Sequence, residues 1–212
     1  MFNGLIREIA QVASYSQNTL RLKASYRPNL GDSVAVNGAC LSVTQLHADG
    51  FSVELSAETR AHIVTENLRG RVHIEPAMRL ADRVDGHLLQ GHIDAIGEVA
   101  RIERRENGVD FYINLPSSVM PLMANKGSIA VDGVSLTINE VLPTGVRLTI
   151  IPITFRESLF GEFEPGRRVN VESDLLARYV VRQLEFVGVL GGVNGGKSEI
   201  SWDESQHIAS LY

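Results

Sequence analysis

The chain has 212 residues, 44% of them hydrophobic and 21% charged, a balance that fits a globular protein of one large domain or two small ones. Its 25 acidic and 20 basic residues leave a formal charge of −5 with no long run of Lys or Arg, so the electrostatic footprint of a nucleic-acid binder is missing. The opening MFNGLIREIAQVAS has no basic stretch ahead of an apolar one, and no window approaches the ~18 apolar residues of a membrane span; a cytoplasmic protein is expected, with neither nucleic acid nor membrane as partner. A single cysteine, Cys40, can form neither an intrachain disulfide nor a cysteine zinc cluster.

Strand patterns come first along the chain. SVAVNG from Ser33 and FSVELS from Phe51 alternate apolar and polar residues, with turn punctuation between them. Asn37-Gly38 predicts a two-residue hairpin, because the favoured turn needs the positive φ that these residues tolerate. It would bring CLS back beside SVAV. ETRAHIVTENL reads as a short helix between strands, and RVHIE from Arg71 as another strand.

The second half repeats the first. KGSIAVDGVSLTIN (Lys126 to Asn139) lies over GDSVAVNGACLSVT (Gly31 to Thr44) at an offset of 95 residues, which also carries Thr59 onto Thr154. Ser33, Ala35, Val36, Gly38 and Leu41 recur, and Asn37/Asp132, Cys40/Ser135 and Ser42/Thr137 are conservative pairs. Small shifts pair NGLIREIAQVA near the start with QGHIDAIGEVA from Gln90, and RVHIE with RVNVE at Arg168. Two homologous halves are therefore expected, about 1–86 and 87–186, each a small closed barrel whose mouth holds one small ligand. ITFRESLF is expected to be a short helix capped by Thr154. DLLARYVVRQLEF is a better helix, capped by Ser173 or Asp174, with Leu175, Leu176, Tyr179, Val180 and Leu184 on one face that wants a partner. The tail from 187 to 212 opens with five glycines between Gly188 and Gly196 and reads as a connector.

Taken singly, the polar residues have ordinary explanations. Cys40 fits a buried small hydrophobe, Ser33, Ser42, Ser135 and Thr137 fit strand hydroxyls, and Asp174 fits a helix cap. His87 and His92 lack a third ligand for zinc, so no metal is expected. What raises these residues above the ordinary is the repeat, which sets short polar side chains at matching points and implies two similar ligands. No nucleophile elbow, dinucleotide fingerprint or phosphate loop competes.

MFNGLI, GDSVAVNGACLSVT, GHLLQGHIDAIGEV, KGSIAVDGVSLTINEV, IIPIT and RVNVESDLLARYV, in that order over about residues 1–186, resemble the riboflavin synthase family. The resemblance implies a mainly β fold of two tandem, homologous, six-stranded Greek-key-like barrels plus a C-terminal helix at about 174–186. It implies a homotrimer in which an N-terminal barrel faces the C-terminal barrel of a neighbour. The implied reaction is the dismutation of two 6,7-dimethyl-8-ribityllumazine molecules to riboflavin and 5-amino-6-(D-ribitylamino)uracil. No cofactor is implied, bound lumazine or riboflavin being substrate or product, and lumazine synthase is a candidate partner.

By the same resemblance, the catalytic residues are Ser33, Cys40, His92 and Asp174. Cys40 and Ser33 would activate the nucleophile on the acceptor lumazine, His92 would transfer a proton, and Asp174 would assist at the facing site. The N-terminal pocket would use Gly4, Leu5 and Ile6, then Cys40, Leu41 and Ser42. Beside these lie the run Glu54, Leu55, Ser56, Ala57, Glu58 and Thr59, and the junction Gly91, His92 and Ile93. The second pocket would use Lys126, Ser135, Leu136 and Thr137 with the run Thr149, Ile150, Ile151, Pro152, Ile153 and Thr154. The chain departs from the family pattern at Asn3 and Ser42, where Thr is usual, at Asp85, where a Gly is common, and in its short connector and glycine-rich tail. Two alternatives stand beside this reading: a non-catalytic lumazine or flavin binder of the same fold, in which one polar motif is blurred, and the flavin barrel of a reductase, which would bring a nucleotide-binding half.

Overall fold

The two glycine dipeptides form the hairpins that the sequence predicts. In the computed structural model, which describes residues 1–189, Asn37 and Gly38 have φ of 44° and 85°, and Asp132 and Gly133 have 45° and 80°. Positive φ at both central residues gives the tight turn whose twist matches its strands. Around these turns each half closes into a six-stranded antiparallel barrel. The first comprises β1 (Glu8–Ser16), β2 (Thr19–Lys23), β3 (Ser33–Val36), β4 (Ala39–His47), β5 (Gly50–Glu54) and β6 (Arg71–Pro76), in the order β1-β2-β5-β4-β3-β6 with β6 returning to β1. The second repeats this order with β7 (Ala95–Arg105), β8 (Gly108–Asn114), β9 (Ser128–Val131), β10 (Val134–Leu142), β11 (Gly145–Ile150) and β12 (Arg168–Ser173). Even the bulges recur: the register slips at Val12/Ser14 and Val43/Gln45 in one barrel and at Val99/Arg101 and Ile138/Glu140 in the other. These kinks let a short sheet curl shut.

Alternation along the strands fills each barrel with side chains. Leu20, Leu22, Val34, Val36, Leu41, Val43, Phe51 and Val53 occupy the first, and Val99, Phe111, Ile113, Ile129, Val131, Ile138 and Leu148 the second. These side chains fill the space that six strands enclose, which is narrower than in the eight-stranded barrels that can hold a ligand. Room for a ligand therefore lies beyond the packed core.

Three α-helices occur among the described residues: α1 (Ala57–His62), α2 (Pro152–Glu157) and α3 (Leu175–Phe186). Ser56 caps α1, accepting from Thr59 N at 3.0 Å. Thr154 does not cap α2 but lies inside it, because Pro152 takes the first turn, where its missing N–H is harmless, and Ile151 becomes the cap position. Ser173, offered as a cap for α3, donates its hydroxyl to Asp94 Oδ2 at 2.7 Å. Residues 1–175 form one unit and a second begins at Leu176. The expected helix face on α3 is formed, and none of its residues is buried. Most of the glycine-rich tail, residues 190–212, lies outside the described residues.

The hairpin turns are not at an open end. They bury against each other between the barrels, Asn37 and Asp132 being only 1% exposed. A Cβ on Gly38 would come within 2.8 Å of Gly133 N, and a Cβ on Gly133 equally close to Gly38 N. Beside them Asn170 bridges the barrels: its Oδ1 accepts from Val64 N at 2.7 Å and its Nδ2 donates to Asn37 O at 2.9 Å. At the repeat-equivalent place stands His73, whose Nε2 accepts from Leu159 N at 2.7 Å and whose Nδ1 faces Asp132 O at 2.9 Å. The imidazole thus imitates the carboxamide, one nitrogen accepting and the other donating. That assignment fixes the neutral Nδ1–H tautomer, since a carbonyl cannot donate and a main-chain N–H cannot accept.

Burial pushes His73 down to about 4, and the Arg167 guanidinium adds to this, against the Asp132 carbonyl that pulls it up. As pH falls from about 6.5 to about 4, the unfolded chain takes up a proton that the folded chain refuses. Wild-type stability relative to His73→Asn should therefore decline by up to ~3 kcal/mol over that window in urea denaturation. Gly38→Ala should destabilise by clearly more than Gly31→Ala; both glycines have positive φ, but a Cβ on Gly31 meets nothing within 4 Å. A turn strain of ~1–2 kcal/mol is expected for Gly31→Ala alone, and equal losses for the two variants would mean that the approach to Gly133 is harmless.

Candidate active site

Each barrel is completed by a segment from the other half. The stretch leading into β1 crosses to the second barrel, where Gly4 O accepts from Ser135 N at 2.9 Å; the equivalent stretch leading into β7 crosses to the first, where Gly91 O accepts from Cys40 N at 2.9 Å. A buried carboxylate fastens each crossing. Glu75 accepts from Asn3 N and Gly4 N at 2.8 and 3.0 Å, and Glu172 from Gln90 N and Gly91 N at 2.8 and 3.0 Å. Burial pushes Glu75 up to about 7, against the pull of the two N–H donors. Gly4 and Gly91 both have φ of 76°, and a Cβ there would meet Ser135 Cβ at 2.5 Å or Cys40 Cβ at 2.6 Å. Only glycine permits this approach.

Where these segments pass over the outer face of the hairpins, two cavities form. The larger, about 490 Å³, is lined by Ala39 and Cys40 of β4, Glu58, Thr59, His62 and Ile63 of α1 and its end, and Gly91, His92 and Ile93. The other, about 300 Å³, is lined by Val134 and Ser135 of β10, Ile153, Thr154, Glu157 and Ser158 of α2 and its end, and Gly4, Leu5, Ile6 and Arg7. All nine lining residues of the first have repeat mates in the second. Volumes of this order suit a small heteroaromatic ligand, with main-chain groups and a few polar side chains to orient it.

Cys40, Glu58, Thr59, Gly91, His92 and Ile93 therefore share one cavity, and Ser135, Ile153 and Thr154 the other. Gly4, Leu5 and Ile6 line the second cavity and not the first, a correction that follows from the crossing of the leading segment. Leu41, Leu55 and Ile150 are buried in the barrel cores and line neither cavity. Ser33 sits opposite Ser42 at the far end of β3 from the turn and lines neither cavity. Glu54 pairs with Ser42 across β5, Ser56 and Ala57 start α1, and Thr149 donates to Asp110 Oδ1 at 2.7 Å. Ile151 and Pro152 form the start of α2, Leu136 packs against the second core, and Thr137 faces outward beside Ser128. Lys126 is exposed with φ of 65°, where its repeat mate Gly31 has 83°, so a side chain is retained at a strained position.

Sequence reading missed Arg7, Ala39, Val134, His62, Ile63, Glu157 and Ser158. The last six form repeat pairs at the same 95-residue offset as Thr59 and Thr154, a signal that was available. His87 enters the sequence reading only as a zinc candidate beside His92. Its Nδ1 lies 2.7 Å from Ser135 Oγ, while His92 lines the other cavity, so the two histidines do not converge. No group of three or more His, Cys, Asp or Glu that could hold a metal occurs among the described residues, and no described helix is long and apolar enough to cross a membrane.

The family described as the lumazine binding domain matches twice, over residues 3–77 and 90–174. Among curated relatives, riboflavin synthase of Bacillus subtilis (strain 168) is 37% identical over 193 residues, covering 87% of this chain and 90% of that protein. The riboflavin synthase of Photobacterium phosphoreum is 34% identical over 194 residues, covering 87% and 89%. That of Mycobacterium tuberculosis (strain H37Rv) is 34% identical over 201 residues, covering 89% and 100%. Solved structures of LumP share the fold at 21% identity, covering 82% of this chain and 99% of theirs: TM-score 0.71 for the complex with 6,7-dimethyl-8-(1'-D-ribityl) lumazine and 0.73 for that with riboflavin.

Glu172→Gln should loosen the larger cavity, because the carboxamide turns a donor toward one of two main-chain N–H groups. A stability loss of ~1–3 kcal/mol is expected in urea denaturation. Unchanged stability would show that the crossing segment holds without its carboxylate.

Proposed function

Because this chain belongs to the riboflavin synthase family of enzymes, we propose that it converts two molecules of 6,7-dimethyl-8-ribityllumazine to riboflavin and 5-amino-6-(D-ribitylamino)uracil. One lumazine donates a four-carbon unit to the other. The observation that carries this reading is the pair of outer-face cavities built from repeat-equivalent residues: a reaction between two copies of one molecule needs two like pockets. Orienting two reactants against each other can correspond to an effective molarity of about 10⁵–10⁸ M, or roughly 7–11 kcal/mol of barrier.

The enzyme is a homotrimer on this reading. The apolar face of α3 associates with other subunits, and the larger cavity of one subunit faces the smaller cavity of a neighbour. Loss of a proton from a ring methyl gives a carbanion delocalised into the pteridine, so the substrate is its own electron sink. Two lumazines balance riboflavin and the uracil product without an external oxidant, and no cofactor is needed. Cys40 and His92 act in the larger cavity, Cys40 assisting nucleophile formation and His92 proton transfer, with Ser33 supporting from the same hairpin face. Ser135, Thr154 and the exposed Lys126 hold the second molecule, with Asp174 assisting. The setting is cytoplasmic, and lumazine synthase, which would supply the substrate, is a partner.

Incubation of the purified chain with dimethylribityllumazine alone, without metal or nucleotide, should yield one riboflavin for every two substrates consumed, read by absorbance and fluorescence. Lumazine that binds with altered fluorescence but is never converted would establish a binder in place of an enzyme.

A further inference from the structure

The two cavities are equivalent in construction and differ in chemistry at several points, one of which is Cys40 against Ser135. Cys40 packs beside the apolar seam of Phe2, Ala35, Leu89 and Ala130. Its repeat mate Ser135 has instead a hydrogen-bonded partner from the linker, His87, with Nδ1 to Oγ at 2.7 Å. The linker is held tightly there. His87 N donates to Asn3 O at 3.2 Å, Phe2 and Leu89 exchange main-chain hydrogen bonds at 2.8 and 2.9 Å, and a Cβ on Gly86 would stand 3.0 Å from Ser135 Oγ. The His87 ring is 9% exposed, and its Nε2 is buried with no hydrogen-bond partner among the described residues.

We propose that His87 is a positioning residue that acts through Ser135, accepting the Ser135 hydroxyl proton on Nδ1 and so turning the oxygen's lone pairs into the second cavity. This rests on the function proposed above. On this assignment the ring carries its hydrogen on Nε2, leaving Nδ1 as the acceptor. Burial holds the His87 pKa below the ordinary histidine value, against the upward pull of Asp174. In the reaction, a ring-methyl proton of the bound lumazine passes to Ser135 Oγ as the serine proton passes to Nδ1. The C–H bond breaks, its electron pair enters the pteridine, and the negative charge of Asp174, which raises the His87 pKa, favours the imidazolium. The proton returns by the same path.

The test compares wild type, His87→Phe, His87→Gln, Ser135→Ala and the double variant His87→Phe/Ser135→Ala. Each is assayed for kcat and KM with dimethylribityllumazine, riboflavin Kd, and exchange of the ring-methyl hydrogens of bound lumazine in D2O by NMR. His87→Phe should lose about 10²-fold or more in kcat and in methyl exchange, with riboflavin Kd within about threefold. His87→Gln keeps an acceptor for the hydroxyl but has no base, and should show the same loss; it serves in place of His87→Phe should that variant fail to fold. The double variant should be no slower than Ser135→Ala. Multiplying losses, parallel falls in kcat and affinity, or normal exchange in both His87 variants would overturn the proposal. A wild type that binds lumazine without making riboflavin would sink the function above, and methyl exchange would still report on His87.

Discussion

Exchange of the strand-leading segments is the constraint on which the two-barrel body depends. A segment that crosses to another sheet carries main-chain N–H groups into a buried place, where they must be satisfied. Glu75 and Glu172 each accept two of them, and the carbonyls of Gly4 and Gly91 complete the link by taking Ser135 N and Cys40 N. The glycines are needed twice over, for their positive φ and for the approach to the opposite hairpin. Because the cavities lie where a crossing segment covers a hairpin, neither barrel owns a complete cavity. Separating the halves would dismantle both.

Quasi-symmetry makes the departures from it informative. His73 and Asn170 are different side chains performing the same pair of hydrogen bonds, so the repeat conserves an interaction pattern more strictly than a residue type. At the cavities the chemistry itself diverges: thiol against hydroxyl at Cys40 and Ser135, imidazole against isobutyl at His92 and Leu5, imidazole against carboxylate at His62 and Glu157. The larger cavity measures about 490 Å³ and the smaller about 300 Å³. A reaction in which identical molecules take different roles requires two pockets alike enough to bind the same compound and different enough to commit each copy to one role. On the proposed function, duplication followed by substitution at the lining provides that.

The outer position of the cavities follows from barrel size. Six strands close around a space that apolar side chains fill, which leaves the outward residues of each hairpin for other work. Near the turns, Ala35 and Ala130 are small enough to let the halves approach and join the seam with Phe2 and Leu89. Directly across the hairpin from them, Cys40 and Ser135 border the cavities. One hairpin face thus serves both the union of the halves and the binding of ligand, and the division between the two uses is made by side-chain size.

The sequence by itself determined the duplication, the antiparallel hairpins with their glycine turns, the closed barrels and most of the cavity-lining residues. Those features rest on period-two alternation, on the positive φ of Asn37-Gly38 and Asp132-Gly133, and on a repeat register that survives substitution. Only the tertiary structure decided that Gly4, Leu5 and Ile6 serve the second barrel, that the cavities lie outside the sheets, and that His87 meets Ser135. Each of these joins residues 48 to 131 positions apart, as His87 with Ser135 and Gly4 with Ser135 do. Alternation tells which face of a strand a residue occupies, but it carries no information about which distant segment covers that face. Burial of main-chain polar groups settles that, and it acts only once the chain has folded.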